Sequence, residues 1–437
     1  VLCGFLTVMT SDPWYAFGDS NFLKPNNIEN LLRRTSMYGV LGIGVAFVII
    51  TSGIDLSIGS VVCLSGCLLA MFLNVTYEPF DHQPIYELRA KDHTIVVRGD
   101  ASGFKAGDQI RFFGGRRARN ALLKVADLKF DGAWSVISVE GNLTNDDSLG
   151  QIAKVYSVAE FTNGQPDASG TISSSQVILR GNHGYLTARD QLVLAHPESG
   201  LKQIEVVSTK SVGEDTIVTL GRDLGSNFST DWVVVPLERR QRMSIPMALL
   251  SVLGIAAVLG LIHGLLVTRV QLQPFVVTLC GLLIYRGLSR WLVDDQPVGF
   301  GNEFEHTLSP LGNGKLVLTT AADGSTFGIP YPFFILIGVA IVAAVFLNRT
   351  IWGRYLLALG RNEEAAHYSG INTERVKLFA YLIATGMAAL GGIMFSLDSN
   401  SISPSSFGNF FELYAIAAAV LGGCSLRGGE GSILGVI

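Results

Sequence analysis

The most chemically informative residue of this sequence is an aspartate in an apolar region. Asp55 lies in Thr51-Ser-Gly-Ile-Asp-Leu-Ser-Ile-Gly59, between two apolar stretches. An Asp at membrane depth costs about 2.5–3.5 kcal/mol on insertion scales, so its position needs a reason. Gly53 can end the first helix, and Asp55 or Ser57 can accept hydrogen bonds from the free N–H groups of the next one. The segment therefore predicts a helix break inside a membrane.

Two interpretations of this break stay open. A broken helix in a membrane is tolerated where it lines a wet cavity or where it is packed in protein. In the first case Thr51, Asp55 and Ser57 belong to a translocation pathway or its gate. In the second case the same residues satisfy helix ends and contact no solute.

Three further ionisable residues in apolar segments are candidates for such a pathway: His263, Arg286 and Glu412. His263 lies in Gly260-Leu-Ile-His-Gly264, whose small residues let helices pack closely, so a packing role is its alternative. Arg286 lies four residues before Arg290 on one helix face. Extension of both side chains to the membrane interface is the alternative there.

No catalytic or nucleotide-binding motif is present in the sequence. Gly312-Asn-Gly-Lys315 lacks the length of a P-loop and the Ser or Thr that follows its Lys. Neither a metal-binding His/Glu spacing nor a G-x-S-x-G motif occurs. We therefore expect a protein that is not an enzyme and that binds no cofactor or metal directly. The net charge of −4 gives no basic surface for nucleic acid.

The elements that position these residues follow from composition. The 437 residues are 49% hydrophobic and 16% charged, against about 25% charged in soluble domains. Between Tyr77 and Met243, however, lie 19 of the 32 Lys and Arg and 21 of the 36 Asp and Glu. The expected fold is a polytopic α-helical membrane protein with an inserted all-β soluble domain. Its parts are N-terminal membrane helices (1–76), the insertion (77–243) and C-terminal membrane helices (244–437).

Seven apolar stretches are candidate membrane spans: Met37–Thr51, Ile58–Asn74, Ile245–Val267, Phe275–Val293, Tyr331–Leu347, Leu378–Leu397 and Leu413–Leu421. The runs at Val1–Thr10 and from Ile433 are too short to span and are expected to be truncated spans. Basic residues favour the cytoplasmic side for the loop 349–377, and acidic residues the outer side for 294–330. Alternation then places the insertion outside, although Arg33 and Arg34 count against this orientation.

The insertion contains an internal repeat. The segment from Val96 to Phe113 resembles the segment from Ile178 to Leu194, at a period of about 82 residues. Alternating apolar residues and Gly/Asn/Asp turns predict two small all-β modules, about 77–160 and 161–243. A structural role is expected for the repeated turn, and a carbohydrate- or partner-binding face is the alternative.

The stretch from Gly353 to Asn372 combines helix formers at Asn362–Tyr368 with flanking glycines. A short helix ending at Gly370 beneath the membrane can dock into a groove of a cytoplasmic partner. A plain connecting loop is the alternative.

Together these stretches resemble the membrane permease subunits of bacterial ABC importers for ribose, galactose, xylose and related simple sugars. The resemblance rests on five motifs in the family's order, which run from Val48 to Ser60, Gln273 to Gly287, Gly353 to Ala366, Ser369 to Asn372 and Tyr414 to Ser432. The large insertion is a departure from the family.

The resemblance implies partners and a coupling role. It implies a second permease subunit, with a homodimer expected, a periplasmic solute-binding protein and a cytoplasmic ATP-binding subunit that supplies ATP hydrolysis. It also implies that the ATPase engages a coupling loop, whose candidates are Gly353, Arg354, Asn362, Glu363, Glu364, Ala365 and Gly370.

The predicted function is that of a permease subunit of an ATP-driven importer. It would move a sugar or similar small polar solute across the bacterial inner membrane by alternating access. A membrane-anchored binding or scaffold protein acting through the β insertion is the alternative. An ion-coupled transporter would need more intramembrane carboxylates than Asp55 and Glu412.

Overall fold

The computed structural model describes residues 24–113, 122–141, 143, 151–162, 175–180, 183–196, 200–213, 215–221, 232–320 and 326–437. The chain forms two compact units, one of which is Val75–Gln241 and the other the sequence on either side of it. The predicted fragment Val1–Thr10 lies outside the described residues.

The first unit is helical. Its helices are α1 (Pro25–Ile50), α2 (Ile58–Phe72), α3 (Ile245–Thr268), α4 (Pro274–Leu292), α5 (Pro310–Asn313), α6 (Tyr331–Arg349), α7 (Ile351–Arg361), α8 (Glu363–Tyr368), α9 (Thr373–Ser399), α10 (Phe411–Leu421) and α11 (Ile433–Val436). Four of the long helices, α1, α3, α4 and α6, each carry a Pro in their first turn. Pro is favoured there because the first N–H groups of a helix have no partner within the helix.

Five of these helices, α1, α3, α4, α6 and α9, are long and apolar enough to cross a membrane. The predicted spans at Ile58–Asn74 and Leu413–Leu421 form the shorter apolar helices α2 and α10. The described helices thus confirm a polytopic membrane protein, while the count of seven spans stays a prediction.

Helix α9 is the centre of the membrane unit, and it packs against α1, α2 and α3. Glycines make the close approaches possible. A Cβ added to Gly44 of α1 would lie 2.7 Å from Met387, and one added to Gly264 of α3 would lie 3.0 Å from Leu378. Small residues are expected at such helix contacts, because in lipid the association of helices depends on close van der Waals packing.

Between α4 and α6 the chain forms a hairpin of β13 (Lys315–Thr320) and β14 (Thr326–Pro330). This hairpin is tied to α1 through the buried Glu29. Lys315 Nζ lies 3.0 and 2.9 Å from the two carboxylate oxygens, and Gly328 N donates to the same carboxylate at 2.7 Å. The contacts satisfy a buried charge that would otherwise be strongly destabilising.

The second unit is a twelve-stranded sheet with the order β1-β12-β9-β10-β11-β8-β7-β2-β3-β6-β5-β4. Its strands are β1 (Val75–Pro79), β2 (His82–Arg89), β3 (Thr94–Arg98), β4 (Gln109–Phe113), β5 (Leu122–Asp131), β6 (Trp134–Glu140), β7 (Gln151–Thr162), β8 (Gln176–Leu179), β9 (Gln191–His196), β10 (Gly200–Val212), β11 (Asp215–Leu220) and β12 (Val233–Gln241). Strand β7 pairs with strands of both halves. The two halves therefore share one continuous sheet, although each has its own buried apolar cluster.

The repeated turn is built alike in the two halves. Asp108 Oδ2 accepts a hydrogen bond from Lys105 N at 2.7 Å, and Asp190 Oδ2 accepts one from Thr187 N at 2.7 Å. The residue before each aspartate has a left-handed backbone, with φ of 95° at Gly107 and 80° at Arg189. These aspartates organise their own turns, which supports the structural interpretation of the repeat.

His183 gives the β unit a pH-dependent stability. Its Nε2 lies 3.0 Å from Arg180 O and its Nδ1 lies 2.8 Å from Tyr185 Oη, a pattern that a neutral imidazole satisfies on both nitrogens. Desolvation lowers the pKa of His183 below its ordinary 6.5, with the Arg180 carbonyl opposing the shift. Burial raises the pKa of Tyr185 to about 12, so this hydroxyl stays protonated and able to donate.

We expect the β unit to lose stability on acidification. The unfolded chain binds a proton at His183 more readily than the folded chain, so the contribution is complete above pH 6.5 and is lost as the pH falls through the lowered pKa. Hydrogen exchange of peptides covering 175–196 in the full chain should accelerate between pH 7.5 and 5.5, after correction for intrinsic rates. His183→Asn should flatten this dependence, whereas His93→Asn, at an exposed histidine of the same unit, should leave it intact.

Candidate functional site

The segment between α1 and α2 is a compact turn, and its bonds account for the end of α1. Thr51 Oγ1 donates to Val48 O at 2.8 Å, and Gly53 N donates to the same carbonyl at 3.0 Å. The left-handed residue is Ser52, with φ of 62°. The prediction that Gly53 breaks the helix is therefore wrong in its detail, because α1 ends at Ile50 and the left-handed turn falls on Ser52.

Asp55 is fully buried in this turn, with 0% of its surface exposed. Its Oδ1 accepts two hydrogen bonds from Ser57, from the backbone N at 2.8 Å and from Oγ at 2.6 Å. Its Oδ2 has no hydrogen-bond partner among the described residues. One carboxylate oxygen thus shapes the start of α2, and the other is left for a different partner.

Three aromatic side chains from other helices surround this carboxylate. His263 Nε2 of α3 lies 2.9 Å from Tyr285 Oη of α4. The rings of His263 and Tyr381 of α9 meet edge to face, with centroids 6.2 Å apart. Asp55 interacts electrostatically with all three side chains. We call Asp55, His263, Tyr285 and Tyr381 the buried polar cluster.

The buried polar cluster contains unpaired groups. His263 Nδ1 and Tyr381 Oη join Asp55 Oδ2 as buried atoms without a hydrogen-bond partner in the described structure. Leaving a polar group buried and unpaired costs about 1–3 kcal/mol, so three such atoms from three elements need an explanation. They combine a strong acceptor with groups able to donate, which matches the chemistry of water or of a solute hydroxyl.

The cluster lies well inside the helical unit. Tyr381 comes eight residues after Thr373, the first residue of α9, which is a rise of about 12 Å along a helix. Thr278 Oγ1, in the second turn of α4, reaches the Ile54 carbonyl at 3.2 Å and so holds the turn against α4. Because the surrounding helices are apolar, any polar ligand at this depth would have few other partners.

The other two pathway candidates do not join the cluster. Arg286 Nη1 donates to Pro404 O at 3.1 Å and to Phe407 O at 2.5 Å, in the segment before α10. Glu412 lies against α2, since a Cβ added to Gly59 would collide with its carboxylate. Arg286 attracts Glu412 electrostatically. The six predicted residues therefore form two groups, with Thr51, Asp55, Ser57 and His263 in one and Arg286 and Glu412 in the other.

Arg290 and Arg286 have different partners. Arg290 forms a bidentate ion pair with Asp295, with N–O distances of 3.0 and 2.7 Å. The pair is exposed, so its contribution to stability is small.

The predicted coupling loop contains the helix α8. Asn362 caps it, since its Oδ1 accepts a hydrogen bond from Ala365 N at 2.9 Å, and Gly370 follows it with φ of 82°. Glu363 is bound to Lys377 of α9 at 2.6 Å. Glu364 is exposed in the first turn of α8. The two acidic residues thus differ, because only Glu363 is engaged by a neighbouring helix in the described structure.

Helix α7, which precedes α8, has no counterpart among the predicted elements. It begins at the cap Thr350, whose Oγ1 accepts from Gly353 N at 3.2 Å. Gly353 is needed for a close approach, because an added Cβ would lie 2.5 Å from the Leu347 carbonyl carbon. Arg354 is exposed and lines a shallow cleft with Gly429 and Glu430.

Sequence reasoning missed Tyr285 and Tyr381. Each is a tyrosine inside a span, whereas the tyrosines of membrane helices concentrate at the two interfaces. This unusual position is the signal that could have identified them. A Cβ added to Gly53 would lie 3.0 Å from Tyr381 Oη. The glycine therefore matters for the space that it leaves beside this hydroxyl.

A helical membrane unit whose helix break carries a buried carboxylate, faced by polar groups from three helices, is typical of membrane transport proteins. Comparison with known proteins identifies which kind. Residues 224–437 match the family model of the permease component of branched-chain amino acid transport systems.

Curated relatives give a narrower assignment. The ribose import permease protein of Haemophilus influenzae is 31% identical over 240 residues, which cover 54% of this chain and 71% of the relative. That of Escherichia coli K12 is 32% identical over 240 residues, covering 54% and 72%. The galactose/methyl galactoside import permease of Escherichia coli K12 is 33% identical over 196 residues, covering 45% and 56%. No solved structure gives a significant match. The chain belongs to the simple-sugar permease family of bacterial ABC transporters.

Proposed function

We propose that this chain is the membrane-spanning subunit of an ATP-driven importer that moves a sugar or similar polyhydroxylated solute by alternating access. The observation that carries the proposal is the buried polar cluster, with its three unpaired polar atoms. Sugar hydroxyls both donate and accept hydrogen bonds, so they can satisfy Asp55 Oδ2, His263 Nδ1 and Tyr381 Oη during passage. The relatives are named as sugar import permeases, which supports the same solute class.

In the described structure the cluster is closed, since Asp55 and His263 are almost fully buried. A solute reaches it only when the helices around it separate. The cost of the unpaired groups favours any state in which water or solute fills the cluster. The helices α1, α2, α3, α4 and α9, which supply the cluster or flank its turn, are the elements that must move.

The proposed partners follow from the family and the exposed segments. A cytoplasmic ATP-binding subunit would dock on α8 and hydrolyse ATP, a second copy of the permease would complete the pathway, and a periplasmic solute-binding protein would deliver the solute. The protein would lie in the bacterial inner membrane with the β unit outside, where the acidic 294–330 stretch also lies.

Co-purification with the candidate ATPase in detergent tests this proposal. We expect the ATPase to accompany the wild-type full-length protein and to be lost with the Glu363→Arg/Glu364→Arg variant. Glu363→Lys is compared alone and combined with Lys377→Glu, because the combination keeps the ion pair with α9 while reversing its direction. If the swap fails to restore binding, Glu363 contacts the ATPase itself, and if it restores binding, Glu363 acts by positioning α8.

An ATPase that never accompanies the wild-type protein, even in lipid nanodiscs with a non-hydrolysable nucleotide, would contradict the proposal. Function would then have to be sought in the β unit, as in a membrane-anchored binding protein.

A further inference from the structure

The turn that carries Asp55 is bonded to the segment that leads into α8. Ser52 Oγ lies 2.9 Å from Arg427 O and 3.3 Å from Gly360 O. Gly360 is the penultimate residue of α7, and only Arg361 and Asn362 separate it from α8. Ser52 itself is three residues from Asp55. The Ser52 side chain therefore connects α8 with the buried polar cluster. The chain runs from Ser52 to Asp55 on one side of this contact and from Gly360 to α8 on the other.

Glycines allow this junction to close. Gly429 N donates to Ile50 O at 2.9 Å and so satisfies a carbonyl at the end of α1. A Cβ added to Gly360 would collide with the same Ile50 carbonyl. Gly428 and Gly429 have φ of 83° and 73°, which side-chain-bearing residues rarely adopt. Backbones of three separate segments thus meet here without intervening side chains.

Backbone-to-backbone contacts of this kind transmit displacement more directly than flexible side chains. The junction is held by the Ser52 hydroxyl and by backbone N–H and carbonyl groups that bind one another. Its location is its distinguishing property: it joins the helix break to the α7–α8 segment, and the cleft beside it is lined by Arg354, Arg361 and Glu430.

We infer that Ser52, Gly360 and Gly429 are positioning residues through which movement of α8 changes the position of Asp55. This inference rests on the proposed function, because it assigns a route to the coupling between an ATPase on α8 and the solute site. When α8 moves, α7 pulls on the turn at Ser52, and the Asp55 carboxylate shifts relative to His263 and Tyr381.

The test compares Ser52→Ala, Gly360→Ala and a matched control in the full-length protein with its ATPase in proteoliposomes. Ser52→Ala removes the two hydroxyl contacts and keeps the Cβ, and Gly360→Ala wedges a methyl group against Ile50 O. Gly386→Ala in α9 is the control, because a Cβ there meets nothing within 4 Å. We expect both junction variants to keep the ATPase and its hydrolysis, while solute uptake falls about tenfold, within the range typical of coupling between two sites.

Hydrogen exchange gives the decisive readout. Trapping the ATPase with ATP and vanadate should change exchange in both 363–368 and 51–57 of the wild type. In Ser52→Ala only 363–368 should respond. A normal response of 51–57 in Ser52→Ala, with uptake unchanged, would overturn the inference.

A second arm needs no ATPase and separates the inference from the proposed function. Asn362→Ala removes the cap of α8 in the chain alone, and we expect exchange to rise in 51–57 as well as in 363–368. The rise in exchange in 51–57 should disappear when Ser52→Ala is added. If exchange in 51–57 rises but no ATPase ever binds, the junction is supported and the importer proposal fails. If exchange in 51–57 does not change in Asn362→Ala, the junction is rejected.

Discussion

Replacing Asp55 by Asn is expected to reduce solute uptake strongly while the protein stays folded and bound to the proposed ATPase. The amide keeps an oxygen that can accept both hydrogen bonds from Ser57, which lie at 2.8 and 2.6 Å. It places an N–H₂ group where the unpaired Oδ2 now lies and removes the charge. Loss of a hydrogen bond to a charged group amounts to about 1.5–3 kcal/mol, so uptake should fall roughly 10- to 150-fold.

Uptake into proteoliposomes, with ATPase co-purification measured in parallel, checks this expectation. Ser57→Ala is the matched control, because it removes one of the hydrogen bonds to Oδ1 and leaves the charge and Oδ2 unchanged. Asp55→Ala should behave differently from Asp55→Asn. It leaves the Ser57 N–H without its partner, so it should lower the yield of folded protein. If Asp55→Asn takes up solute at the wild-type rate, the Asp55 carboxylate is not part of the transport site.

The helix break was predictable because the cost of a membrane carboxylate is a local property of the sequence. His263 was a candidate for the same pathway, but its position beside Asp55 was not predictable, and Tyr285 and Tyr381 were missed. All three reach Asp55 through the packing of α3, α4 and α9, more than 200 residues away along the chain. A tyrosine in an apolar segment carries no spacing that identifies its neighbours. The left-handed φ at Ser52 likewise arises from its tertiary bonds to Gly360 and Arg427, which override the local preference for Gly53.

Two other differences between the sequence-based predictions and the structure, helix α7 and the continuous sheet, have similar causes. Helix α7 was missed because Gly353 and Gly360 lower its helix propensity, and both are explained only by the backbones that approach them. In the β unit the repeat is visible in the sequence. The continuity of the sheet depends on β7, whose long-range pairing with β4 and β12 no local pattern encodes.

Tyr368→Ala is expected to weaken binding of the ATPase more than any single charge change on α8. Tyr368 is the last residue of α8, and 88% of its surface is exposed. An aromatic side chain so exposed on a segment proposed to dock is suited to fill a pocket of the partner. Truncation of such an anchor typically costs 2 kcal/mol or more, which is roughly 30-fold in affinity.

Titration of the ATPase against the full-length protein in nanodiscs measures this change. Tyr368→Phe should bind nearly as well, because it keeps the ring, and Tyr86→Ala, at a tyrosine of the β unit that is 66% exposed, should have no effect. Equal affinity of Tyr368→Ala and the wild type would place the contact elsewhere on the predicted coupling loop. If affinity falls but uptake at saturating ATPase is normal, Tyr368 only anchors the partner. The displacement is then transmitted by the helix backbone, as we infer from the contacts at Gly360 and Gly429.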